Sequence, residues 1–476
     1  MAEFGLRKFV AISSGLMFYF FVGIEETVMT SYFSLEASKR GLDIVQIGLC
    51  FCMMDVSTFL FSFLAMFTIT PSRERLFCVS GMVLLSLAAM ATSVLQWVHS
   101  GALFFSLSVG MEFLVGIGSA FSLATTLPLI TSVHLEAAGS ITACAEALLN
   151  LGCLVGPPFG SVLYSYCGMF APPLISGGLA ALSAVVAAFY LPQNLSCSTQ
   201  IRSEQLTSSG RIKRVNGLFS VENHPARTSV SSLQTPLIGG GIVEASEDLM
   251  TGKQLLFDPW AYFKFVAKPG LIVLSLLGIV VAAQSLFFEV CLSLYLEDKF
   301  SMDAIEIGLM FLLFNVPNSL MVVLYGLAVD RGFGMHVTLL SAFGFSATFF
   351  ALFLPDLIPS LQTVWYLATM LVIAGTCAAG TYIPAYLIYE RVAEVYGFQN
   401  ESQTRFLVST WINNLSSIGA LAGATWLTGP MYGHYGFNTT CLAISVCMFV
   451  FSVASLAAAA QMRLLKKLYY ADDLPL

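Results

Sequence analysis

Residues 149–164 read LNLGCLVGPPFGSVLY. Gly152, Gly156 and Gly160 recur every four residues, so on a helix they form one smooth stripe along which another helix can approach closely. Pro157 and Pro158 remove two backbone donors and predict a bend in that helix. On the face away from the stripe, Glu146, Asn150 and Cys153 stack by i+4 and i+7 spacing. The segment therefore reads as a helix with a packing side and a polar side, and no lysine or arginine interrupts it.

The rest of the chain says what medium that helix sits in. Of 476 residues 57% are hydrophobic and only 10% charged, with a mean hydropathy of +0.81. A soluble protein carries about 25% charged residues. The reading is a polytopic membrane protein, and a net charge of -7 gives no support to nucleic-acid binding. The first apolar run, about 9–33, is too long for a signal-peptide core and is read as a retained span. The eleven cysteines show no CxxC, Cys/His cluster or paired spacing. They read as small apolar fillers, with neither a metal site nor a cofactor expected.

A bilayer core takes about 20 apolar residues as a helix. Runs of that length fall near 9–33, 45–69, 76–96, 102–131, 140–165 and 171–191. A second set falls near 268–294, 304–329, 334–354, 362–388, 405–430 and 437–461. The expected organisation is an all-α membrane protein of twelve transmembrane helices in two six-helix pseudo-repeats. Residues 1–191 form the first bundle, 192–267 a polar and largely disordered linker, 268–461 the second bundle and 462–476 a tail. The linker ends in LLFDPWAYFKFVAKPG (255–270), whose aromatics and lysines suit a segment lying along the headgroups.

Counting basic residues by side orients the chain. With a cytosolic N-terminus, 18 of the 21 lysines and arginines face the cytosol and only Lys39, Arg40 and Lys299 face away. Both termini are therefore expected in the cytosol. The sequons at Asn194 and Asn400 then face the wrong compartment and Asn414 lies within a span. Asn438 alone would meet the glycosylation machinery.

No basic residue lies deep in a span, whereas Glu25, Glu26, Asp55, Glu112, Glu146 and Glu289 all do. An ionised side chain at mid-bilayer costs about 2.5–3.5 kcal/mol on insertion scales, so each should face a cavity or hold a proton. Acids without basic partners make a route attractive to cations, and buried carboxylates are plausible proton carriers. The structural alternative is that some brace helices as hydrogen-bonding carboxylic acids. Two of the six are related by an internal repeat. In FVGIEETVMT (21–30) Glu26 precedes Tyr32 by six residues, and Glu289 precedes Tyr295 by six, each pair leading to an IGL. NLGCLVG and SSIGALAG echo each other in the same way. Glu25 lies about 100° round the helix from Glu26, so the two are not expected in one cavity. Tyr32, Tyr295, Tyr382 and Tyr386 are candidates for an aromatic cage around an amine, or else packing aromatics.

The run GxxxGPPxG in a fifth span resembles the antiporter motif of drug/proton antiporters in the major facilitator superfamily. YGLAVDRGFG (325–334) is similar to that superfamily's cytosolic loop signature, with Gly326 and the pair Asp330 and Arg331. SYFSLEASKRGLDIVQIGL, EALLNLGCLVGPPFGSVLYSYCG and EVCLSLYLEDKF resemble the vesicular amine and polyamine transporters, solute carrier family 18, and its polyamine branch in particular. The resemblance implies the major facilitator fold, two halves rocking about a midplane site, and exchange of cytosolic organic cations for luminal protons. It also places a family acid at Glu146 and at Glu289. Partners implied are a small cationic substrate, protons and the bilayer, with the protein a monomer in an acidic vesicle membrane. Two departures stand out. FLAMFTITPSRER (63–75) lacks the loop's usual Gly and Asp, and in EFLVGIGSA Glu112 occupies the place of a superfamily arginine. Transport of another solute at the plasma membrane, or a non-transporting receptor on the same fold, stays open at this point. An enzyme does not, since no nucleophile, base and metal group together.

Overall fold

The computed structural model describes residues 2–68, 73–133, 138–191, 269–328, 331, 333–395 and 401–469. For Glu146, Tyr382 and Tyr386 it describes the backbone alone, each within a helix, and Asp330 and the 192–267 linker lie outside it. The first half comprises α1 (Ala2–Thr27), the short α2 (Phe33–Lys39), α3 (Ile44–Thr68), α4 (Glu74–Thr92), α5 (Gly101–Val133), α6 (Ala138–Cys167) and α7 (Ala171–Tyr190). The second comprises α8 (Pro269–Phe300), α9 (Ala304–Ala328), α10 (Gly334–Leu357), α11 (Val364–Val395), α12 (Glu401–Ala422) and α13 (Gly433–Tyr469). A π-helical stretch, Gly423–Tyr432, continues α12.

Among the described residues eleven stretches are long and apolar enough to cross a membrane, and the last, Asn414–Ala457, runs for 44 residues. At 1.5 Å per residue that is about 66 Å, twice the thickness of a hydrocarbon core. Gly436, with φ +79°, breaks it. A backbone in that region suits glycine alone, so the stretch holds two helices long enough to span, and the described residues then supply twelve spans.

One expected span needs correction. The apolar run at 9–33 does not continue as one helix, because α1 stops at Thr27 and five turn residues lead into α2. Thr30 Oγ1 donates to the Thr27 carbonyl at the end of the helix (2.8 Å), and Ser31 Oγ ties the turn to the Pro157 carbonyl of α6 (3.1 Å). Such side-chain bonds give the backbone an alternative to the helical ladder.

The glycine stripe of α6 lies flat against α1. A methyl group at Gly152 would strike the Phe20 carbonyl, at Gly156 the Thr27 hydroxyl and at Gly160 the Val28 carbonyl. The proline bend is satisfied across the same seam. Pro157 has no N–H for the Cys153 carbonyl, and Thr27 Oγ1 donates to that carbonyl at 3.1 Å. The repeat is visible in the second half, where Gly419 and Gly423 of α12 and its continuation press on the backbone of α8 at Ile279 and Ala283.

The two halves meet at one end. Gly48 of α3 abuts Ala424 and Thr428, Gly429 abuts Val45, and Gly308 of α9 abuts Pro157 and Ser161 of α6. By chain direction all four places lie at the end away from Ala2 and Pro269. One apolar core joins both halves there, running through Tyr32, Leu35 and Ile47 to Leu286, Phe288 and Ile307. Toward the opposite end the first half keeps a core of its own around Phe18, Met82 and Ile130.

Gly152→Leu is expected to cost more than the roughly 1–3 kcal/mol of ordinary overpacking, because the obstacle is backbone. Gly178→Leu, where the added atoms meet open space, should leave the melting temperature of the purified protein unchanged. Equal melting temperatures for the two variants would remove the close-packing account.

Candidate functional site

The acids of the helices gather at one depth. Asp55, Glu112 and Glu289 each sit eleven residues from the end of their helix nearest the closed side, counting from Ile44, Gly101 and Phe300. Eleven residues are about 16 Å of helix, close to half of a bilayer core. Glu26 arrives at the same place through its neighbours. It is exposed at the edge of α1, and the Cys153 thiol of α6 donates to its carboxylate at 3.6 Å. Glu289, from the second half, lies within electrostatic reach of Glu26, Asp55 and that thiol. Glu26 and Glu289, the pair related by the repeat, thus lie within electrostatic reach of each other across the boundary between the halves.

Glu25 points elsewhere. It is 8% exposed and accepts a hydrogen bond from Ser176 Oγ of α7 at 2.5 Å, inside the first half. Its 100° offset from Glu26 is what sends it there. Glu112 stands within electrostatic reach of both Glu25 and Asp55. Departing from the superfamily's arginine, it joins an acidic group.

Of the four candidate tyrosines, the side chains of Tyr32 and Tyr295 are described, and each stacks on another ring. Tyr32 is fully buried and stacks on Tyr164, with ring centres 4.9 Å apart. Tyr295 stacks on Phe437 at 4.3 Å within the second half. Asn150 is half-buried on α6, Gly326 lies near the end of α9, and Arg331 is exposed beyond it. Asn438, the candidate glycosylation site, is buried, and its amide donates to Asp356 at 2.6 Å.

Sequence reasoning passed over two residues. Ser176 carries no signal of its own in an apolar run. Glu36 was legible, since Lys39 and Arg40 follow it at the i+3 and i+4 spacing of helical ion pairs. In the structure Glu36 pairs with Arg40 and Lys39, and the Tyr164 hydroxyl donates to it. Arg40 also donates to the Val98 carbonyl (3.1 Å) and lies 4.7 Å over the Phe104 ring. These bonds staple α2 to α5 and α6 at the closed end.

A sequence profile of the Major Facilitator Superfamily matches residues 9–424. The chain belongs to that superfamily. It is similar to the MFS-type transporter SLC18B1 of Homo sapiens, 24% identical over 422 residues that cover 87% of this chain and 78% of the relative. It is also similar to the synaptic vesicular amine transporter of Homo sapiens, 40% identical over 80 residues, or 16% of each chain. Among solved structures, the nucleoside transporter NupG superposes with a TM-score of 0.63 over 95% of this chain and 98% of that one. At 10% identity that likeness carries the fold alone. The molecule is accordingly an integral, multi-pass membrane transporter of the superfamily, related to the amine and polyamine transporters of solute carrier family 18, and not an enzyme.

The staple at Glu36 has a pH signature. Partial burial pushes its carboxyl up, but the bonds from Tyr164 and Arg40 outweigh this and hold it below the ordinary value of 4.5. Its contribution is therefore complete above 4.5 and lost as pH falls through the lower folded value. Thermal melts should show Glu36→Gln less stable than the parent at neutral pH, with the gap closing only in stronger acid. A gap that closes already on mild acidification would contradict the assignment.

Proposed function

We propose that this protein is a proton-coupled antiporter that moves small organic cations, polyamines or monoamines, across the membrane by alternating access. The observation that carries this reading is the meeting of Glu26 and Glu289, one from each half, beside Asp55 at mid-depth with no lysine or arginine in the deep part of any span. A cluster of carboxylates in a low-dielectric seam has two ways to be neutral, by protons or by a cation, and the two exclude each other. Competition of that kind is what couples cargo to protons. The similarity to amine transporters supports an organic cation as the cargo.

The conformation fits one stage of such a cycle. With the termini in the cytosol, as the distribution of basic residues argues, the glycine contacts between the halves lie toward the lumen, and in this reading the carboxylates are approached from the cytosol. Cargo binds there, the halves rock about the glycine contacts, and protons from an acidic lumen displace it. Each proton moving down one pH unit supplies about 1.4 kcal/mol. An acidic vesicle membrane is the setting in which that gradient exists. The antiporter motif of α6, residues Asn150 to Gly160, serves in this reading as the stiff seam along which α1 and its acids are carried. Gly326, Asp330 and Arg331 would mark the cytosolic gate.

Proteoliposomes with an acidic interior should accumulate labelled spermidine or a labelled monoamine, and Glu289→Gln should reduce the initial rate by roughly tenfold or more, equivalent to about 1.4 kcal/mol. Accumulation only when the interior is alkaline would mean symport. No accumulation of any amine, or an unaffected Glu289→Gln variant, would defeat the proposal.

A further inference from the structure

We infer that Cys153 is a positioning residue, whose thiol holds the carboxylate of Glu26 in place against α6 for the cation that it receives. The inference rests on the antiport reading above for its part in transport, while the contact itself belongs to the protein at rest. Glu26 stands one residue before the end of α1 at Thr27. The last turn of a helix leaves carbonyls unpaired and carries partial negative charge, so a carboxylate there is pushed away rather than held. Glu26 is also exposed at its edge, and a glutamate side chain has several rotamers to lose before it stays in one place. Neither α1 beyond Lys8 nor α6 carries a lysine or arginine to fix it. The Cys153 thiol meets that need, with Sγ donating to Glu26 Oε2 at 3.6 Å.

The thiol starts from a fixed point. Thr27 Oγ1 donates to the Cys153 carbonyl at 3.1 Å, and a methyl group at Gly23 would lie 3.0 Å from the Cys153 nitrogen. The backbone of Cys153 is thus seated on α1 at both of its ends, and its side chain leaves from there toward Glu26. A thiol is a weak donor without charge. It orients a carboxylate but does not neutralise it as a lysine or arginine would, so the charge stays available to the cargo. The second half lacks this device. Gly152 meets the carbonyl of Phe20, six residues before Glu26, and Gly423 meets the carbonyl of Ala283, six residues before Glu289. By that register the residue matching Cys153 is Ala424, which is fully buried and has no donor on its side chain. The two acids of the repeat are therefore not held alike.

The test uses the full-length protein in two assays. In the first, without cargo, the infrared difference between parent and Cys153→Ala isolates the S–H stretch of Cys153. The same difference taken in a Glu26→Gln background should show that band displaced, because a neutral amide oxygen accepts a weaker hydrogen bond than a carboxylate. A band that stays in place overturns the inference, whatever transport shows. Should Cys153→Ala fail to fold, Cys153→Ser supplies the reference spectrum. In the second assay, proteoliposomes with an acidic interior, Cys153→Ala should raise the KM for spermidine roughly threefold to tenfold, the worth of one hydrogen bond, with a smaller change in maximal rate. Cys153→Ser, which keeps a donor at that position, should recover most of the loss, which a packing role would not produce. A parental KM in Cys153→Ala, or equal losses in the alanine and serine variants, overturns the inference while leaving the antiport reading standing. A parent protein that moves no amine counts against the antiport reading, and the S–H band then decides the contact by itself.

Discussion

The contact on which the rest of the structure depends is that of α6 with α1, backbone to backbone. Without side chains at Gly152, Gly156 and Gly160 the two helices touch along their length. In a bilayer no hydrophobic force drives helices together, so association rests on such packing and on bonds across the seam. The seam supplies the bond as well, since the carbonyl released by Pro157 is the one that Thr27 reaches. Glu25 and Glu26 immediately precede Thr27 and have their directions set by it. One turns to Ser176 in the interior of the half, and the other turns outward beside Cys153.

From that seam the electrostatics follow. Carboxylates at mid-depth are costly for any single helix, and four helices, α1, α3, α5 and α8, each contribute at least one there. Gathering them does not lower the cost of each; it makes their occupancy interdependent. The boundary between the halves is the place where interdependence can do mechanical work, because among the described residues the halves approach closely at one end through glycines at 48, 308 and 429. Small residues at those places let the surfaces come close without interlocking side chains. The Glu36 staple keeps α2 tied to the first half, so the end that closes does so as a unit.

Much of this was legible in the sequence. Length and hydropathy of the runs decide helices over strands, because a bilayer leaves no other way to pair every backbone group of a 20-residue apolar segment. The spacing of Gly152, Gly156 and Gly160 showed which face of α6 would be packed. The paired intervals of Glu26 to Tyr32 and Glu289 to Tyr295 revealed the repeat and put two acids at matching places. What was not legible was the fate of the tyrosines. The same interval that marks the repeat carries Tyr32 and Tyr295 into the apolar core that joins the halves, where each stacks on a ring of its own half, Tyr164 and Phe437. The end of α1 at Thr27 was equally hidden, since hydropathy is blind to hydroxyls that turn back on carbonyls.

The sequence by itself determined a membrane bundle of two related halves, an acidic and base-free interior, and a glycine-lined fifth span. These are properties of composition and period, which a bilayer turns directly into structure. Only the tertiary structure decided which acids meet. Glu26 and Glu289 stand 263 positions apart in the chain, and Glu25 finds Ser176 across 151. A one-residue step along α1 turns a side chain by about 100°, and which neighbour then receives it depends on how the helices are arranged around it.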